Sequence, residues 1–376
     1  MKRDNTIEAF FALVRAGLWE KDFQLPEYGE IDYDLLLQLA EEQSVMGLVA
    51  AGFDHVKNGN PPKEIVLQFV GQALQLEQQN QSMNSFVASL VEKMRKSDIY
   101  SLLLKGQGIA QCYERPLWRS CGDVDLFLSE DNYKKAKKYL LPLASTVELE
   151  GAYEKHLGMT IDSWVVELHG TLRSGLSKKI DKGLDLVRKN VFYGGEVRSW
   201  NNGNTQVFIP SADNDAIYIF THILQHFFKG GIGLRQVCDW CRLLYTYKDS
   251  LNHGLLESRI RKMGLISEWR AFGTFAVNYL GMPIEAMPLF DENDNQNEKL
   301  KRKAKRICSF ILEVGNFGQN RDMSYYGSKP YIMQKVISLK RRVGDLIRHA
   351  RIFPMDSIRF FPRMMFNGVI SAIRGE

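Results

Sequence analysis

The chain is poor in cysteine, with five in 376 residues (Cys112, Cys121, Cys238, Cys241 and Cys308). An odd handful in a long chain fits reduced thiols and excludes the disulfide framework of a small secreted scaffold. Long apolar runs are also missing: no stretch reaches the roughly 18 uninterrupted apolar residues of a membrane-spanning helix. The Met-Lys-Arg-Asp start leads into an amphipathic segment and not a signal sequence. These absences predict a cytoplasmic protein with no integral membrane segment. No repeat period and no extended low-complexity tract is present, which excludes solenoids and repeat arrays. With 45% hydrophobic and 25% charged residues the composition is that of an ordinary globular protein, long enough for two or three domains of roughly 150 residues.

The net charge of +5 is unevenly spread. Residues 329–376 hold ten Lys or Arg against three acids, a surplus of seven that leaves −2 for the rest. A basic tail of this kind attracts nucleic acid, an anionic surface or an acidic partner protein, although a solvated helical surface has the same composition. Within it, Phe360, Phe361, Met364, Met365 and Phe366 beside Arg359 and Arg363 suit a docking segment, with Pro362 expected to interrupt the helical register. A second basic run, Lys299 to Arg306, and Lys340-Arg341-Arg342 fit either an RNA-binding surface or solvated helix faces.

Residues 1–98 show helical apolar spacing, broken by the loop Asn58-Gly59-Asn60-Pro61-Pro62 and resumed as a long helix from Glu64 to Lys96. That first third offers packing and no chemistry. The pattern changes at Ile99 to Leu104, an apolar run suited to a buried strand, which ends on a glycine turn. A helix over 107–113, a strand over Val124–Leu128, and a helix over 130–140 capped by Ser129 should follow, then strands near 156–161 and 164–168. From Ser211, expected to cap a helix over 213–228, the pattern is helical again: 234–247, 252–281 and 296–314, with an acidic loop at 291–295.

The chemistry concentrates between the two halves of this pattern. Residues i and i+2 of a strand point to one face, so Asp123 and Asp125 stand side by side while Val124 and Leu126 pack inward. Two carboxylates that close repel unless a hard divalent cation such as Mg²⁺ joins them and bridges to phosphate oxygens. The turn Lys105-Gly106-Gln107-Gly108 offers backbone N–H groups where a triphosphate is favoured, and Gly106 allows close approach. Lys105 and Arg119 can neutralise phosphate charge. Glu167, in Trp164-Val165-Val166-Glu167, is the candidate third carboxylate, expected to activate the attacking hydroxyl opposite the leaving pyrophosphate.

Leu103-Leu104-Lys105-Gly106, Tyr113, Arg119, Gly122-Asp123-Val124-Asp125-Leu126 and Val166-Glu167-Leu168-His169 resemble the uncharacterised nucleotidyltransferases of the DNA polymerase beta-like superfamily. Gly233-Leu234-Arg235-Gln236-Val237-Cys238-Asp239-Trp240 resembles that family's downstream helical region, so the likeness runs over about residues 30–250. The resemblance implies an α+β fold: a small mixed β-sheet nucleotidyltransferase core (99–205) with flanking helices, preceded by a helical region (1–98) and followed by a helical domain (206–320) and a basic helical tail (321–376). It also implies Mg²⁺ or Mn²⁺ at Asp123, Asp125 and Glu167, a nucleoside triphosphate at Lys105, Gly106, Gln107 and Arg119, and transfer of a nucleoside monophosphate to a hydroxyl of an unnamed acceptor. Two positions depart from the wider pattern: Gln107 replaces a small Ser or Gly, and Glu167 a commoner Asp. The alternative is an inactive protein of the same fold that binds a nucleotide or partner.

Three other groupings invite a sharper reading. His222 and His226 with Cys238 and Cys241 imitate a zinc set, although each pair falls in an apolar helical period. Arg235 and Asp239, spaced i, i+4, are substrate-cleft candidates or an ordinary helix ion pair. His169 either orients a substrate phosphate or caps its strand.

Overall fold

Helix-spaced apolar residues at the N-terminus form α1 (Lys2–Trp19), α2 (Tyr33–Glu42), α3 (Met46–Phe53) and the long α4 (Lys63–Lys96), with the two-residue strands β1 (Phe23–Gln24) and β2 (Val56–Lys57) pairing between them. The computed structural model describes residues 2–150, 155–320 and 331–374. α1 and α3 cross at glycines. A Cβ built on Gly17 would lie 2.0 Å from the Leu48 carbonyl oxygen, and one on Gly52 2.2 Å from that of Leu13. Only glycine permits so close a crossing.

The α/β part follows as β3 (Ser101–Leu104), α5 (Gly106–Ala110), β4 (Asp123–Leu128), α6 (Glu130–Leu140), β5 (Thr146–Val147), β6 (His156–Ile161), β7 (Trp164–His169), α7 (Lys178–Tyr193) and the hairpin β8 (Val197–Asn202) with β9 (Thr205–Pro210). Five strands form one mixed sheet in the order β3-β4-β7-β6-β5. β4 and β7 run parallel, and the other neighbours are antiparallel. Ser129 caps α6 by accepting from the Asn132 N–H at 3.4 Å. Leu103, Leu126 and Leu168 from the sheet, Met83 and Val87 from α4, and Ile209 from β9 share one core.

The rest is helical: α8 (Ala212–Lys229), α9 (Leu234–Thr246), α10 (His253–Met263), α11 (Ile266–Leu280), α12 (Glu292–Gln296), α13 (Glu298–Val314), α14 (Tyr331–Ile352) and α15 (Pro354–Arg374). Several local expectations are corrected. The 252–281 pattern splits at Gly264, which takes φ +74 as the C-cap of α10. The acidic loop winds into α12 because the Asp291 carboxylate accepts from the Asp294 N–H at 2.9 Å. The Ser211 hydroxyl accepts from the Asn214 side-chain amide at 3.0 Å and caps no backbone N–H of α8. The helix expected over 107–113 ends at Ala110. Pro362 lies inside α15, which continues through it.

A second core unites regions far apart in sequence, with Phe10 and Phe53 joining Trp240, Trp269, Phe353 and Phe360. The basic C-terminal helices are docked on this body. Arg348 pairs with Glu313 at 2.8 Å, Arg363 with Asp181 at 2.7 Å, and Arg359 donates to the Met263 carbonyl at 3.0 Å. Lys303 of the other basic run lies 4.8 Å over the Phe353 ring. Residues 321–330 of the expected tail lie outside the described residues. Among the described residues no helix is long and apolar enough to cross a membrane.

Candidate active site

Sheet register brings the carboxylates together. Asp123 and Asp125 alternate onto one face of β4, and the parallel pairing places Asp125 opposite Glu167 on β7. Two residues on, His169 points the same way, and the antiparallel pairing of β6 puts His156 opposite His169. Carboxylate oxygens of Asp123, Asp125 and Glu167 lie within 4.8 Å of one another, as do ligand atoms of His156, Glu167 and His169.

Asp125 is the buried centre, 1% exposed. Its Oδ1 accepts from His169 Nε2 at 2.7 Å and meets Lys105 Nζ at 2.9 Å. Oδ2 is buried with no hydrogen-bond partner among the described residues. Asp125 and burial together push the Asp123 carboxyl up from its ordinary value. Burial acts on Glu167 in the same direction, but hydrogen bonds from His156 and His169 outweigh it and hold this carboxyl well below the ordinary range. His169 is pulled down by burial and raised more strongly by Asp125 and Glu167, so its net shift is upward. Lys105 is likewise kept protonated against burial by Asp125.

The turn that delivers Lys105 is unusual. Lys105 has φ +46 and Gly106 φ +40, a left-handed pair in which the non-glycine residue is strained. The Lys105 ammonium on this turn lies 2.9 Å from Asp125 Oδ1. α5 has only five residues, so little helix dipole builds up behind the turn. Gln107 does not face the cleft: it is buried, and its amide donates to Asn80 Oδ1 at 3.1 Å. Asn80 in turn donates to the carbonyls of Leu117 at 2.7 Å and Arg119 at 2.8 Å, so Gln107 braces that segment.

A cleft of about 330 Å³ opens beside the carboxylates, lined by Ser44, Cys121, Asp123, Glu167, Arg235 and Asn316 among others. Arg235 donates to the Ser120 carbonyl at 3.0 Å, while its Nε is buried and lacks a hydrogen-bond partner among the described residues. Burial and the neighbouring Arg119 lower its pKa, the signature of a cation short of anions. Arg119 is buried elsewhere, with Nη2 2.6 Å and Nε 3.1 Å from the Asp239 carboxylate. The Tyr113 hydroxyl donates to the same carboxylate at 2.8 Å. Asp239 therefore serves Arg119 and Tyr113, and the i, i+4 pair with Arg235 is not made.

Lys105, Asp123, Asp125, Glu167, His169 and Arg235 thus converge, with Gly106 in the adjoining turn, whereas Gln107, Arg119 and Asp239 are committed to buried contacts outside the cleft lining. Sequence reasoning missed His156, for which alternation along His156-Leu157-Gly158 was the available signal. It also missed Tyr218 of α8, and it read His222 only as part of a zinc set, although the Lys105 charge acts on both. His222 and His226 meet through their Nε2 atoms at 3.0 Å. Burial pushes both well down, His226 to about 3. Cys238 and Cys241 are buried thiols raised by burial. Among the described residues, these four form no metal-capable group.

The chain belongs to the uncharacterised nucleotidyltransferases, whose pattern matches residues 29–281. This nucleotidyltransferase match runs from before α2 to the end of α11 and takes in Lys105, Asp123, Asp125, Glu167, His169 and Arg235. No curated protein matches the chain.

Proposed function

We propose that the chain transfers a nucleoside monophosphate from a nucleoside triphosphate to a hydroxyl of its acceptor, with Asp123, Asp125 and Glu167 holding divalent cations, Mg²⁺ or Mn²⁺. The observation that carries this reading is the gathering of three carboxylates within 4.8 Å at the edge of a cleft that also presents Arg235. The donor set fits such an ion: all three ligands offer oxygen, and the orphaned Asp125 Oδ2 is a buried acceptor awaiting a positive partner. When bound, the ion supplies charge neutralisation and Lewis acidity at phosphate oxygens.

The residues themselves have distinct tasks. Lys105 and His169 fix Asp125 through Oδ1 and leave Oδ2 available. Glu167, held ionised by two histidines, is a weak base, so it serves as a ligand and orienting group. Arg235 presents unneutralised charge to the triphosphate or to an anionic acceptor. In the transfer the acceptor oxygen forms a bond to the α-phosphorus as the bond to pyrophosphate breaks, and the hydroxyl proton leaves to solvent. The five free thiols support a reducing, cytoplasmic setting.

A second reading, an inactive nucleotide- or partner-binding protein of this fold, is favoured by one contact: the Lys105 ammonium already occupies Asp125 Oδ1. Incubating the full chain with each labelled triphosphate, Mg²⁺ or Mn²⁺ and a cell extract separates the two. Label should pass to an acceptor, and Asp125→Asn should reduce the transfer by about a hundredfold or more, the several kcal/mol expected of a lost metal ligand. Equal labelling by wild type and variant would remove the assignment.

A further inference from the structure

The all-oxygen trio does not use the two imidazoles on the same sheet face. We propose that His156, His169 and Glu167 form a second cation position, sharing Glu167 with the first, that takes a divalent transition ion of the Zn²⁺ class in preference to Mg²⁺. The inference rests on the site proposed above only through that shared carboxylate.

Register builds the set. His156 and His169 are direct partners across β6 and β7, so their rings stand on one face, 4.9 Å apart between centroids. Glu167, two residues before His169, turns the same oxygen to both: His156 Nε2 lies 2.9 Å and His169 Nε2 3.4 Å from Oε2. Ligands around a tetrahedral ion with bonds of roughly 2.0–2.1 Å are separated by about 3.3 Å, a value these two distances bracket. Each imidazole nitrogen therefore already stands at ligand-shell distance from the shared oxygen, and an ion bound there would displace the proton between them, with His169 Nε2 giving up its donation to Asp125 Oδ1 while Lys105 keeps that oxygen.

Donor chemistry selects the ion. Imidazole nitrogen suits Zn²⁺, Co²⁺ and their neighbours, whereas Mg²⁺ demands oxygen and sheds its water reluctantly. Three protein ligands with one coordination position left to solvent or substrate is the arrangement of a reactive site, not of a closed structural one. Access exists, since Glu167 lines the cleft and the His156 side chain is 31% exposed.

Metal-stripped full chain titrated with Co²⁺ should develop the visible d–d absorption of an ion with nitrogen ligands, reversed by Zn²⁺ and not by excess Mg²⁺. Cu²⁺, which also favours imidazole nitrogen, bound to the same protein should show ¹⁴N coupling in pulsed EPR. His156→Ala and His169→Ala should each weaken Co²⁺ binding by at least about tenfold, since even outer-shell losses cost that much. If His169→Ala fails to fold, His156→Gln on the partly exposed side carries the test, with circular dichroism as the check. Absence of nitrogen coupling in the wild type, or equal Co²⁺ affinity in the folded variants, would overturn the proposal. Mg²⁺-supported transfer without nitrogen coupling would sink this inference alone; Co²⁺ on the histidines with no transfer from any triphosphate would sink the proposed activity alone.

Discussion

Arg119 and Arg235 carry the same guanidinium and lie near the same turn, yet their surroundings give them opposite uses. Arg119 is clamped by Asp239 in the interior, while among the described residues the Arg235 guanidinium donates to a backbone carbonyl alone beside the cleft. Replacing Arg119 by Met should cost about 3–5 kcal/mol in urea unfolding, because Asp239 is left buried and unpaired. Arg235→Met should leave unfolding within about 1 kcal/mol of wild type and weaken triphosphate binding in a direct titration. If both variants lost stability equally, the division of labour would be wrong. Sequence alone could not separate the two, since burial and partner choice depend on contacts from Arg119 across to α9. The pairing of Asp123 with Asp125 was legible because strand alternation is a short-range rule, whereas their meeting with Glu167 was not, since the register of β4 on β7 joins segments far apart in sequence. Gln107 was not, because its partner Asn80 lies on α4, outside the motif.

Among elements, strand and helix positions in the α/β part were largely readable from apolar runs and caps, as Ser129 and the strand at 156–161 illustrate. The hairpin of β8 and β9 was not foreseen. Its first strand, Val197 to Asn202, contains no fully buried residue, so apolar patterning is weak. Gly203-Asn204, the two-residue loop with Gly203 at φ +60, was the usable signal. The crossing of α1 and α3 makes a sharper test of packing. Gly17→Ala or Gly52→Ala must push backbone against backbone and should destabilise by about 1–3 kcal/mol. Gly71, on α4 with open space around it, should instead gain roughly 0.5–1 kcal/mol as Ala. Thermal melts of the three variants report the contrast, and a stabilised Gly52→Ala would contradict it.

Over the whole molecule, the cleft draws on three stretches of sequence. Ser44 comes from the first helical region, Asp123 and Glu167 from the sheet, Arg235 and Asn316 from the later helices. Asn316 ties them by donating to the Ser44 hydroxyl at 2.7 Å and accepting from the Gln236 amide at 2.9 Å. A reading that assigned the first third to packing alone missed this because long-range assembly leaves no local mark. Stability should also depend on pH through α8. His222 and His226 have pKa values depressed on folding, so their contribution is present above about pH 6.5 and is lost as pH falls, when the unfolded chain takes up protons the folded pair refuses. Both side chains are partly exposed, so the slope is at most about 1.4 kcal/mol per pH unit for each. His226→Gln should flatten the fall in urea midpoint between pH 7.5 and 5.5; an unchanged slope would exclude the pair as its source.

The parallel pairing of β4 with β7 has a consequence for how such chains can diverge. Everything between them, from α6 through β5 and β6, is a connection whose length does not set the distance from Asp125 to Glu167. Residues can be gained or lost in its loops, and the spacing survives. One residue inserted within β7 itself would exchange Glu167 and His169 for their apolar neighbours Val166 and Leu168 on the working face. Length variation between relatives should therefore collect in the connection and stop at the strand.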